Sequence, residues 1–296
     1  MGLLPFPNKS GYTFKQFHPQ PIENTMKTEL KKTFFCMAVL AGLSICFGIS
    51  YTFAQDADRK AGDRMVMEIK DVEYAFRWCP PGTFMMGAGP GEAGVRGQVG
   101  AQHRVTLTRG FWMLETAVTQ QMWISVMGNN PSGFKGDRLP VEYMSWYDCY
   151  EYIRKLNELG VAPAGYKFSF PTEAQWEYAC RAGTTTPYFF GDTLYRDQAN
   201  FEFIGTVEVD VYPPNAWGLI SMHGNTLEWC QDWFGPYPTG EVTDPTGPET
   251  GTEKAMRGGR WRHGSRQCRS GTRDNSIPGG RSTSMGLRLV LIPDSK

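Results

Sequence analysis

The stretch Asn215–Trp233, NAWGLISMHGNTLEWCQDW, constrains this chain more than any other. It holds three tryptophans (Trp217, Trp229 and Trp233), the turn His223-Gly224-Asn225, and Glu228 in the middle of it. Three indoles demand burial, while Gly224-Asn225 interrupts any helix or continuous strand. The fold must therefore bury irregular backbone and pin it with aromatic rings. The 34 glycines and 20 prolines fit a loop-rich α+β domain better than a helical bundle. Acidic and basic residues balance at 30 each, which argues against a dedicated nucleic-acid binder.

The N-terminus reads as a targeting segment. Residues 1–25 look like an upstream extension, with Met26 as the start. Lys27, Lys31 and Lys32 precede an apolar run from Phe34 to Phe47, and Thr52-Phe53-Ala54 is a small-residue cleavage site. A signal peptide over 26–54 predicts a secreted or periplasmic protein beginning at Gln55. A retained membrane anchor or a lipoprotein at Cys46 are the alternatives, and Gly48, Ser50 and Ile45 weaken them. Residues 55–70 read as a linker, and 71–293 as one domain, expected to be monomeric. Five of the seven cysteines stay with that domain, an odd number in an oxidising compartment, and one or two disulfides are consistent with it.

Three helices are signalled by their caps. Thr119 precedes QQMWISVM, which Gly128 stops. Ser145 to Asp148 and Thr172 to Gln175 are capping boxes, opening helices that run to Gly160 and Gly183. Short strands are predicted at Arg104–Leu107, Phe111–Glu115, Phe168–Phe170 and Leu287–Ile292. Gly89-x-Gly91-x-x-Gly94 has no apolar helix after it, so it reads as a loop and not as a dinucleotide fingerprint. His103, His223 and His263 are the only histidines beyond the targeting segment, and no HExxH or GxSxG occurs.

PPGTFMMG, LPVEYMSWYDC, FPTEAQWEYACRAGT, PNAWGLISMHGNTLEWCQDW, RGGRW, CRSGTRD and GLRLV follow one another in this order. Together they resemble the sulfatase-modifying-factor family, whose founding activity is the formylglycine-generating enzyme. The resemblance runs from about Val72 to Ile292. It implies a loop-rich C-type-lectin-like α+β fold with few short strands and about three helices. It also implies structural calcium held by Ser221, Gly224, Thr226 and Glu228, through main-chain carbonyls and one carboxylate. Asn200 and Phe201 match the start of a second calcium site whose acidic loop is missing. Relatives commonly link the regions of Cys180 and Cys268 by a disulfide.

The founding enzyme holds copper between two cysteine thiolates, a soft pair suited to Cu(I). Here His263 takes the first position. Cys268 takes the second only without a gap, so His263 and Cys268 are the remaining copper and catalytic candidates. Arg260 replaces the serine that follows Arg-Gly-Gly, and Leu227 replaces a pocket tryptophan. The sequence therefore predicts a non-catalytic or divergent ligand-binding member, the alternative being a formylglycine-generating oxidase acting on exported sulfatases. Between Arg257 and Arg288 stand eight arginines, no lysine and one acid, Asp274. Arg260, Trp261, Arg262, His263 and Arg266 fall where relatives build their substrate groove. They are expected to take an exported protein or an acidic or sulfated glycan. Arg257, Arg269, Arg273 and Arg288 have a second reading, as ion-pair partners of Glu177, Glu228 and Asp232 inside the fold.

Overall fold

Each of the three capped segments is a helix in the computed structural model, which describes Asp56, residues 58–89, Glu92 and residues 102–294. Helix α1 (Gln120–Met127) starts where Thr119 Oγ1 accepts the Met122 N–H, and it stops at left-handed Gly128. Helix α2 (Trp146–Glu158) opens on a reciprocal box. Ser145 Oγ accepts from Asp148 N at 3.2 Å, and Asp148 Oδ2 accepts from Ser145 N at 2.7 Å. Helix α3 (Glu173–Arg181) repeats the device with Thr172 and Gln175. Each box satisfies two N–H groups that a helix start leaves orphaned.

Twelve strands, more than the sequence signals, occur among the described residues. They are β1 (Arg64–Ile69), β2 (Val72–Cys79), β3 (Gly82–Met86), β4 (His103–Leu107), β5 (Phe111–Leu114), β6 (Tyr166–Ser169), β7 (Leu227–Trp233), β8 (Val242–Thr243), β9 (Lys254–Arg257), β10 (Arg273–Ser276), β11 (Met285–Gly286) and β12 (Val290–Pro293). The largest sheet runs β1-β2-β5-β12-β6, all antiparallel, so the last strand lies between two early ones. A second sheet, β10-β9-β7-β11, carries the tryptophan stretch, and a third is β3-β4-β8.

Residues 64–69, expected in a linker, are a strand. Met65, Met67 and Ile69 alternate with exposed neighbours and pair with β2, a period of two that marks a half-buried strand. The upstream extension, the signal peptide and most of the Gly89–Gly94 loop lie outside the described residues. Fully buried Trp78, Trp112, Trp123, Trp176 and Trp229 anchor the core. One apolar cluster joins the large sheet to α1 and α2, and a second joins α3 to β4 and β9. No described helix is long and apolar enough to cross a membrane.

Candidate functional site

Two arginine populations share the C-terminal third of the chain, and their surroundings separate them. Arg257 is fully buried between Glu173 Oε1 (3.1 Å) and Glu177 Oε2. Arg273 grips Glu173 with Nε and Nη2, each at 2.6 Å, and lies over the Tyr237 ring. Burial alone would raise the Glu173 pKa, but the Arg273 and Arg257 charges hold it below the usual carboxylate value. Arg288 closes on Glu228 through Nε and Nη2, while its Nη1 donates to the Leu114 and Glu115 carbonyls. Arg257, Arg273 and Arg288 thus belong to the fold's interior.

The tryptophan stretch is built around two side chains. Asn225 Oδ1 accepts from Asn200 Nδ2 and Val207 N, both at 3.0 Å, and its Nδ2 donates to Val207 O. Glu228 accepts from Arg288 and, through Oε2, from the Trp176 indole at 2.6 Å. Gly224 has φ 76° and lies so close to Asn200 that a Cβ would stand 2.3 Å from its carbonyl oxygen, so glycine alone fits. Ser221 also has positive φ, and its Oγ donates to Val209 O. Thr226 is buried against Gly286.

Arg260, Trp261, Arg262, His263 and Arg266 come together on the segment after β9. None of these three arginines makes an ion pair among the described residues. Arg260 is half-buried; its Nε donates to His263 Nε2 at 2.6 Å and its Nη1 to Ser284 Oγ at 3.3 Å. Trp261 donates to Thr283 O and meets Phe134 edge-on, and the Arg262 guanidinium lies 5.9 Å from its ring centroid. Arg262 and Arg266 are exposed. Burial, reinforced by Arg260 and Arg262, lowers the His263 pKa to about 4, so the ring is a neutral acceptor at pH 7. Residues 282–284 also accept the backbone N–H of Tyr143 through Ser282 O. Tyr143 is exposed and has φ 65°, an uncommon backbone state for a bulky residue. No sequence signal marked Phe134 or Ser284, because they reach the arginine segment only through the fold.

The Sulfatase-modifying factor enzyme 1-like domain family matches residues 69–292. The chain belongs to this family. It is 32% identical over 208 residues to the formylglycine-generating enzyme of Streptomyces coelicolor, which covers 60% of this chain and 63% of that enzyme. The chain therefore spans less than two thirds of that relative's length. Its fold is similar to Treponema denticola variable protein 1 (TM-score 0.69, 27% identity, 77% of this chain and 98% of the other). It is also similar to PvdO from Pseudomonas aeruginosa (TM-score 0.66, 25% identity, 79% and 99%). The expected C-type-lectin-like α+β fold is the one observed.

Against the sulfatase-modifying-factor pattern, the metal and cysteine positions depart in three places. The pair expected at copper is one thiol and one imidazole in place of two thiolates; burial raises the Cys268 thiol to about 12, and His263 Nε2 accepts from Arg260. In the expected calcium set of Ser221, Gly224, Thr226 and Glu228, Arg288 and Trp176 contact both oxygens of the single carboxylate. The Cys180–Cys268 link is corrected as well, because both are buried free thiols. Cys180 Sγ faces Ser270 Oγ at 3.6 Å, and Cys268 Sγ faces Gly264 O at 3.7 Å. His223 contacts both neighbourhoods, with Nδ1 2.7 Å from Cys268 O and 4.0 Å from Cys180 Sγ, while Nε2 accepts from Phe189 N. Arg269 was expected to pair inside the fold, but its Nε is buried without a partner among the described residues.

Proposed function

We propose that this protein is an exported, ligand-binding member of the family that takes an acidic or sulfated glycan on Arg260, Trp261, Arg262 and Arg266. The observation that carries this reading is the contrast between the two arginine populations. Arg257, Arg273 and Arg288 are neutralised by buried carboxylates, whereas Arg260, Arg262 and Arg266 make no ion pair among the described residues, Asp274 acting on Arg260 only at longer range. Unpaired guanidinium groups offer paired donors to carboxylate or sulfate oxygens, and Trp261 adds an indole against which a sugar ring can stack. Arg260 is the half-buried member, so an anion there meets a donor already fixed by His263 and Ser284.

Replacing Arg260 and Arg262 together by Ala weakens binding to an acidic glycan array, and Arg262→Ala alone, at an exposed position, weakens it while leaving thermal stability within about 0.5 kcal/mol. A wild-type protein that captures none of those glycans at low salt, where screening is least, would overturn the reading. Export predicts that N-terminal sequencing of the secreted protein begins at Gln55.

A second reading, formylglycine formation on exported sulfatases, is favoured by the identity to the Streptomyces enzyme. The His263–Arg260 hydrogen bond and the protonated Cys268 oppose it. A Cys-x-Pro-x-Arg peptide incubated with the protein, copper and oxygen should keep its cysteine intact in mass spectrometry.

A further inference from the structure

A cavity of about 290 Å³ lies well away in sequence from the arginine segment, where the second sheet meets α3. Its walls are apolar: Met86, Ala174 and the prolines of loops 235–238 and 245–248. Exposed Pro236, Pro238, Thr246 and Pro248 form its rim. Its floor holds Glu173, Asp232 and Arg273. Glu173 takes Arg273 with both oxygens and Arg257 on Oε1, which leaves Asp232 outside both ion pairs. Asp232 is 3% exposed, its Oδ2 accepts the Glu173 N–H at 2.9 Å, and no ion pair among the described residues includes it. Arg273 and Lys254 act on it only from beyond ion-pair distance; a buried carboxylate without a paired cation is costly, and the open cavity beside it is where a cation could enter.

We propose that this cavity binds a small organic ammonium ion with an apolar body, the ammonium docking on Asp232 and the body packing against the prolines and Met86. Neither the arginine face nor any copper chemistry is involved, so the site stands independently of the glycan reading. Pockets of this kind pair apolar walls with very few polar groups, and here the polar group missing its complement is an acid.

The protonation behaviour follows from the neighbours. Asp232, on β7, faces Glu173 of α3, Arg273 of β10, Lys254 of β9, and Tyr237 and His103 across the cavity. Burial, then the Glu173 charge, raises its pKa to about 7. A docked ammonium favours the ionised form, so binding below pH 7 releases the Asp232 proton to solvent. Affinity then climbs about tenfold per pH unit up to pH 7 and levels off above it, because only the ionised fraction is competent.

Isothermal calorimetry with benzylamine tests this on the full secreted chain. Saturable binding is expected, with heats that depend on the buffer at pH 6 because a proton leaves. Asp232→Asn should weaken binding by about tenfold or more, the share of one charge-assisted hydrogen bond. Thr246→Trp, which blocks the rim and leaves Asp232 in place, should abolish it. Benzyl alcohol, the uncharged analogue, should bind at least tenfold more weakly. A blocked Gly-Lys-Gly peptide forms the second arm, and it should not bind. Binding of that peptide in place of benzylamine would assign a protein lysine and overturn the small-molecule source. Equal affinity for benzyl alcohol, or no effect of both substitutions, would overturn the site, as would absence of benzylamine binding at millimolar concentration.

Discussion

At the scale of single residues, two buried groups pull stability in opposite directions with pH. His223 has its pKa lowered to about 3, mainly by burial, against an ordinary value of 6.5. The unfolded chain therefore binds the extra proton first, and stability falls as pH drops below 6.5 and onward toward 3. Asp232 has the reverse sign. Its folded pKa of about 7 lies above the ordinary 3.8, so its ionisation penalty is full above pH 7 and disappears as pH falls toward 3.8. Asp232→Asn should then raise the melting temperature at pH 8 and change it little at pH 4, while His223→Asn should flatten the acid limb. Differential scanning calorimetry at a series of pH values separates the two. Tyr143 makes a third case. Tyr143→Gly relieves a positive φ at a cost of order 1 kcal/mol, so this change should raise the melting temperature.

At the scale of elements, the helices were legible and the second sheet was not. A cap is local chemistry: Ser145 with Asp148, or Thr172 with Gln175, is written within four residues. Replacing Ser145 or Thr172 by Ala should cost about 1 kcal/mol each, read as a shift in the denaturation midpoint. Strand β9 has all four residues buried, and β7 buries five of its seven, so neither shows the alternation that announces a strand. Their partners are distant in the chain, with β7 beside both β9 and β11. The same distance hid the cavity, whose floor draws Glu173, Asp232 and Arg273 from three separate elements. The arginine segment was visible as composition. Which arginines were already paired was not, since that depends on where Glu173, Glu177 and Glu228 arrive. Residues 64–69 were not legible as a strand because exposed Val66 puts an apolar residue on the outer face and blurs the alternation of Met65, Met67 and Ile69.

At the scale of the whole molecule, the Glu228–Arg288 pair links the tryptophan stretch to the large sheet's last connection, with Arg288 also holding the Leu114, Glu115 and Ile220 carbonyls. Glu228→Ala leaves Arg288 buried and unpaired, a loss of about 3–5 kcal/mol, measurable by denaturant unfolding. Adding EGTA to the wild type should leave the melting curve unchanged, and added calcium should not rescue the variant. Arg288 brings to this loop a positive charge encoded in the chain itself. A loop that carries its own counter-charge makes the domain portable: it should reach the same shape in a calcium-poor medium as in a calcium-rich one.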